Sequence, residues 1–194
     1  MEGNLSIARQ IACPVVLISS SLENGQEKAD FYMISSISYV NLEPLILSTA
    51  FLKTSKTAAA ALASKIMAVS VLSFQHLEAV TKLESQTSAE KNLISASENL
   101  NQCGFSSGRL NSGLLYIRDS LLACSLRIFE QTELDQYIVA LAKIEEAATN
   151  QLDRTTGGSS ASKKASTEPL IRYNQLYATI DQERLIQGND RYPV

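Results

Sequence analysis

Ser55-Lys56-Thr57 stands immediately before an alanine-rich run, Ala58 to Ser64, whose composition has strong helical propensity. Ser55 is placed as an N-cap, so the tripeptide would open the helix. A helix N-terminus presents N–H groups without intrahelical partners and a partial positive charge, which together favour a phosphate. Two hydroxyls and an ammonium there add donors of the right sign. The same residues would also serve an ordinary capped helix with a solvated lysine, and spacing alone leaves both readings open. Upstream, Ser35-Ser36 interrupts a strand-like stretch from Phe31 to Val40, Glu43-Pro44 marks a turn, and Leu45 to Phe51 reads as a buried strand.

Other chemistries have little to work with. The chain holds one histidine, His76, and no tryptophan. A Ser-His-Asp or Cys-His machine would have to pass through His76, which reads as part of a solvated helix face, and no GxSxG elbow is present. One histidine cannot build a multi-histidine metal site. Cys13, Cys103 and Cys124 are widely spaced, form no CxxC pair, and read as small structural thiols in a reducing cytoplasm. Any difficult chemistry would therefore belong to a bound cofactor.

The elements that must position these residues follow from hydrophobic periodicity and turn signals. Pro14 to Ser19 predicts a strand and Leu22 to Gly25 a hairpin turn, with positive φ at Asn24-Gly25. Ile66 to Leu72 predicts a strand. Helices are expected at about Gln75 to Leu83 and Ser88 to Gln102, the second with a Thr87…Glu90 capping box and Gly104 as its C-terminal stop. An irregular segment holds Gly104, Gly108 and Gly113. Then Leu122, Cys124, Leu126 and Ile128 alternate with Ser125 and Arg127, and after a turn at Thr132–Asp135 the stretch Tyr137–Ala147 reads as the antiparallel partner. Residues 155–168 read as a flexible Gly/Ser/Lys loop, Pro169 to Ile180 as a last strand, and Asp181 to Gln187 as a short helix. Many strands with few helices predict a mainly β (α+β) fold: a split antiparallel β-barrel of Greek-key type with a few peripheral helices. A doubly wound sheet would need regular β-α alternation, which the C-terminal half lacks.

Composition bounds the rest. The chain has 194 residues, 45% apolar and 19% charged, with 17 Lys or Arg against 20 Asp or Glu and a net charge of -3. That suits a single domain over 1–194 and excludes global disorder. No basic face for nucleic acid is evident. No apolar run approaches the roughly 20 residues of a membrane-spanning helix, and Met1-Glu2-Gly3-Asn4 lacks a cationic signal-peptide start. A cytoplasmic protein with neither nucleic-acid nor membrane partners is expected.

The stretch Tyr32 to Pro44, followed by Leu45 to Phe51 and Thr54-Ser-Lys-Thr57, resembles the flavin reductase family with the FMN-binding split-barrel fold. Its members carry a Thr-x-Ser-Ser segment, a Val-Ser-x-Asp-Pro-Pro turn and a Ser-Arg/Lys-Thr phosphate clamp opening a helix. Downstream, Val69-Ser-Val-Leu72, Leu121 to Glu130 around Cys124, Leu134-Asp-Gln136 and Glu168 to Tyr173 resemble further family segments in order, so the likeness runs from about Ile11 to Tyr177. The resemblance implies that Ser55, Lys56 and Thr57 hold the FMN phosphate. It implies that Met33, Ile34, Ser35 and Ser36 border the polar edge of the isoalloxazine ring, and that Thr49, Ala50 and Phe51 line the ring and ribityl chain. It further implies FMN rather than FAD, since no adenine-site signature is visible, NAD(P)H as electron donor, a homodimer, and a flavin-accepting oxygenase or other electron acceptor.

The chain departs from the family pattern at Met33 for threonine, Asn41 for serine, Leu45 for proline and Gln136 for the histidine near the nicotinamide pocket. Glutamine can donate a hydrogen bond but carries no proton near neutral pH. Three expectations follow: an FMN-binding oxidoreductase of the NAD(P)H-dependent flavin reductase type; a non-enzymatic flavin-binding or electron-carrier protein with a degenerate nicotinamide site; or a structural barrel. Tyr173 and Tyr177 are expected in barrel packing.

Overall fold

The computed structural model describes residues 12–24, 27–86, 95–148, 168–173 and 176–178. In chain order these form β1 (Cys13–Pro14), β2 (Val16–Asn24), β3 (Glu27–Ser35), β4 (Ser38–Leu42), β5 (Leu45–Leu52), α1 (Lys56–Ser64) and β6 (Ile66–Val71). A 3₁₀ turn (Phe74–His76) leads into α2 (Leu77–Ser85), followed by α3 (Ala96–Cys103), β7 (Ser107–Arg109) and β8 (Leu115–Ile117). The long strands β9 (Leu122–Glu133) and β10 (Tyr137–Ala147) and the short β11 (Ile171–Tyr173) and β12 (Leu176–Ala178) complete the chain.

Seven strands make one antiparallel sheet in the order β3-β2-β6-β9-β10-β5-β4. Its two edges, β3 and β4, are separated in the chain only by residues 36 and 37. Three Cα steps from Ser35 to Ser38 reach at most about 11 Å. Seven strands laid flat would hold the edges about 29 Å apart. The sheet must therefore curl into a half-barrel that brings β3 round to β4. Register shifts in β10 against β9, and in β4 against β5, supply bends of the kind bulges produce.

Alternation along the strands divides the core. Val16, Ile18, Met67, Val69, Cys124, Leu126, Ile128, Ala140, Ala142 and Phe51 fill the interior of the curl, where Ala58 and Ala61 of α1 close it. Alanine suits that helix twice over, by propensity and by letting the backbone approach the sheet closely. Leu17 points to the opposite face, into a second cluster with Leu72, Val80, Leu83, Leu100, Phe105 and Leu170. This outer layer is made by α2, α3 and the C-terminal segment. The predicted barrel with peripheral helices is thus present, and strands β2, β5, β6, β9 and β10 fall where expected.

Several local expectations are corrected. A continuous helix from Ser88 to Gln102 is ruled out because Ser95 is extended (φ -61°, ψ 152°) and caps α3, accepting from Glu98 N–H. Ser95…Glu98 repeats the S-x-x-E pattern and was the better start signal, while Thr87 to Glu90 lie outside the described residues. Gly104 does end α3, at φ 103°. The "irregular" 104–113 segment contains β7, paired with β8; a Cβ on Gly108 would meet the Tyr116 ring at 2.8 Å, so glycine lets that ring lie across the hairpin. Pro169 to Ile180 is not one strand: β11 pairs antiparallel with β12. Ser125, on the face opposite Cys124, is buried as well, because β9 has packing on both faces near its start. His76 is buried at 6% exposure, not solvated. Leu22 to Asn24, expected in the hairpin turn, instead continue β2 and pair with β3, because the ladder runs to Asn24–Glu27; Gly25, the loop at 155–167 and the terminal helix at Asp181–Gln187 lie outside the described residues.

Candidate functional site

Helix α1 starts where β5 ends. Ser55 is extended (φ -74°, ψ 127°) and its Oγ accepts from Ala58 N–H at 3.2 Å, the N-cap arrangement expected from sequence. The Ser55 N–H turns back to the Leu52 carbonyl at 2.9 Å, which fixes the angle between strand and helix. No acidic side chain lies in the first turn of α1. Exposed Lys56 occupies the first helical position instead. A cation beside the positive end of a helix costs the helix on the order of 0.3–1 kcal/mol. Thr57 is turned inward, at 3% exposure.

The other candidate residues converge on this corner. Helix α1 packs against β2 and β3, and Met33 to Ser35 are the last residues of β3, paired with Ile18 to Val16 of β2. Ser36 follows, exposed, and its carbonyl accepts from Thr49 Oγ1 at 2.9 Å, tying the end of β3 to β5. Ile34 is half-buried against the outer cluster that contains Leu170 and Phe105. Along β5, Thr49 and Phe51 face inward at 3% and 0% exposure, while Ala50 faces out opposite Val139. The side chains of Thr49 and Phe51 are thereby committed to the interior, and what they offer a ligand outside is main chain. Ala50 leaves the outer surface of the strand low at that point.

Gln136, which the resemblance sets where relatives have a histidine near the nicotinamide pocket, lies beside the approach to α1. Its carbonyl accepts from Lys53 N–H at 3.0 Å, and Lys53 Nζ pairs with Glu133 Oε2 at 3.0 Å. The β9–β10 turn is thus stapled twice to Lys53, two residues before Ser55. Lys53 was not singled out from sequence; its only signal is the Lys-x-Ser-Lys spacing, which carries no meaning until Glu133 is placed beside it.

The thiols and tyrosines define what the site lacks. Cys103 and Cys124 are buried and Cys13 is half-buried. Burial pushes the Cys124 thiol up to about 11, so it stays protonated and unreactive at neutral pH. Burial, with the nearby Cys103, pushes Tyr32 up to about 12. Tyr177 is half-buried against the outer cluster, as barrel packing requires; the side chain of Tyr173 lies outside the described residues. Among the described residues no group of His, Cys, Asp or Glu could hold a metal ion, and no helix is long and apolar enough to cross a membrane.

A curled seven-stranded antiparallel sheet closed by α1 and flanked by peripheral helices defines a split-barrel protein. The chain belongs to the flavin reductase like domain family, whose model matches residues 8–181. That is a family of flavoprotein oxidoreductases. Solved structures agree in fold at low identity. Nitrilotriacetate monooxygenase component B from Mycobacterium thermoresistibile superposes with a TM-score of 0.70 at 15% identity, covering 100% of this chain and 95% of that one. An NADH:FAD oxidoreductase from Streptomyces globisporus C-1027 gives 0.68 at 13% identity, covering 92% of each chain. The styrene monooxygenase flavin reductase from Pseudomonas putida S12 gives 0.65 at 11% identity, covering 92% of this chain and 97% of that one. No curated protein matches the chain by sequence.

Proposed function

We propose that this chain binds FMN at the α1 corner and acts as an NAD(P)H-dependent flavin reductase. One observation supports the reading: the capped start of α1, with Lys56 and Thr57 and no carboxylate in its first turn, combines the positive end of a helix with a cation and hydroxyls of the kind a phosphate takes. Ser55, Lys56 and Thr57 would hold the phosphate, with hydroxyl, ammonium and first-turn main-chain donors. Met33, Ile34, Ser35 and Ser36 would border the polar edge of the ring, and Thr49, Ala50 and Phe51 would line it along β5. When bound, the flavin supplies hydride acceptance at N5. The protein's part is to hold the phosphate, keep the ring against β5 and offer donors to the edge that becomes electron-rich.

FMN is favoured over FAD because nothing in the chain reads as an adenine site. The protein is expected in the cytoplasm, passing electrons to a flavin-accepting oxygenase or a similar acceptor. A homodimer is supported by the wholly exposed β4 and its neighbour: Tyr39, Val40, Leu42 and Leu45 are 66%, 54%, 68% and 37% exposed, an apolar edge of the kind that pairs or is covered. Sedimentation should give twice the chain mass; a monomer at micromolar concentration would count against the dimer.

Purified protein should be yellow, or become so with added FMN, and NADH or NADPH should bleach the absorbance near 450 nm. A colourless protein that ignores FMN would overturn the assignment. Gln136 favours one second reading, an electron carrier: an amide stands beside the clamp where relatives have an imidazole. In that case flavin would bind and neither nicotinamide would bleach it.

A further inference from the structure

His76 occupies the third position of the 3₁₀ turn that Ser73 opens. Its Nδ1 accepts from Ser73 N–H at 3.1 Å, with Ser73 Oγ at 3.0 Å, and His76 N–H returns to the Ser73 carbonyl at 3.0 Å. A capping box places glutamate or glutamine here, reaching back to the cap N–H. Neither of those loses its ability to accept near neutral pH, whereas imidazole does. The ring is buried and stacked on Phe105 at 5.8 Å between centroids.

Ser73 lies between the two residues that grip the C-terminal segment. Leu72 O accepts from Leu170 N–H at 3.0 Å, and Phe74 N–H donates to Glu168 O at 2.9 Å, while Ser73 itself bridges Pro169. Val15 N–H adds a bond to Leu170 O at 2.9 Å. The imidazole acceptor therefore fixes the residue at the centre of the Leu72–Phe74 contact with residues 168–170, while β1 and Glu84 hold the segment further on.

We propose that His76 is an acid-sensitive latch that holds residues 168–170 on the barrel while its ring is neutral and loosens them when Nδ1 is protonated. Protonation leaves Ser73 N–H facing a second N–H and puts a charge among Phe105 and the outer cluster. Ser73 Oγ can accept the new hydrogen, so the turn loosens rather than unfolds. Asp119 lies on the β8–β9 turn, whose carbonyl accepts from Gln75 Nε2 at 3.1 Å, and Glu168 on the C-terminal segment. Glu78 on α2 is occupied by Lys82 at 2.9 Å, and Arg118 turns its Nε to the Ser107 carbonyl. Burial lowers the pKa of His76 below its ordinary value, outweighing the opposite pull of the Ser73 main chain and Asp119. The unfolded or detached state then binds the proton more readily, so the latch is complete above about pH 6.5 and is lost as pH falls through the lowered value.

The chain has a single histidine, so one imidazole resonance reports its titration directly. The full chain should titrate below 6.5, and protection factors of the Phe74, Leu170 and Val15 amides should fall about tenfold per pH unit below that point, ahead of core amides such as Val69. His76→Gln keeps the acceptor without the titration and should flatten that fall. An imidazole titrating at or above 6.5, or equal acid sensitivity of those amides in both proteins, would overturn the latch. The titration alone decides the matter should the variant not fold. Because Ile34 packs on the cluster that Leu170 joins, FMN affinity should weaken in parallel, a consequence that rests on the proposed flavin site. Acid-sensitive amides with unchanged FMN affinity would sink only that link.

Discussion

Helices α1 and α3 begin in the same way and differ in one residue type. Each is capped by a serine whose Oγ accepts from the N–H three residues on, at 3.2 Å for Ser55 and 3.3 Å for Ser95. In α3 the first turn then carries Glu98, which sits at the positive end of its own helix. In α1 it carries Lys56 and no acid. The α3 end complements its own charge. The α1 end adds positive charge near the ends of β3 and β5. A cap alone is thus no evidence for a ligand, and the sign of the next few side chains is what separates the two helix ends.

The largest expected effect tests that contrast at the ligand. Lys56→Ala with Thr57→Ala should weaken FMN by about 2–4 kcal/mol, through loss of charge-assisted hydrogen bonds, as read by flavin fluorescence titration. Unchanged affinity would remove the clamp. The paired cap variants come next. Ser55→Ala and Ser95→Ala should each cost about 1 kcal/mol of stability in urea unfolding, but only Ser55→Ala should also lower FMN affinity. If both or neither did, the two helix ends would not differ in kind. Smallest is the charge swap: Lys56→Glu should raise apoprotein stability and Glu98→Lys lower it, each by about 0.3–1 kcal/mol at low salt, with the difference shrinking in 0.5 M NaCl. A destabilising Lys56→Glu would mean that Lys56 already has a structural duty in the apoprotein.

Much of the architecture could be read from local chemistry. The alanine run, the capping serine, the Glu43-Pro44 turn and the alternating strands on either side of Thr132–Asp135 each depend on neighbours in sequence, and each recurs in the structure. Local signals failed where two candidates competed or where burial decided. Thr87…Glu90 and Ser95…Glu98 are the same pattern, and only the extended backbone at Ser95 distinguishes the true start of α3. His76 follows Ser73-Phe74-Gln75 like any surface turn residue; the distant Phe105 ring is what stacks on it. Phe51 reads as a lining residue by position, yet the period-two alternation of β5 puts its side chain in the core beside Ala58.

By itself the sequence determined the cap, the charge at the start of α1, the strand periodicities and the order of segments that marks the family, because these depend on residue type and spacing along one chain. Only the tertiary structure decided that β3 curls round to meet β4, that Gln136 and Lys53 share a hydrogen bond beside the clamp, and that one histidine holds the C-terminal segment. Those facts join residues far apart in the chain, such as Lys53 and Gln136 or Phe74 and Glu168, and such partners are chosen by burial and sheet closure, which no local pattern encodes.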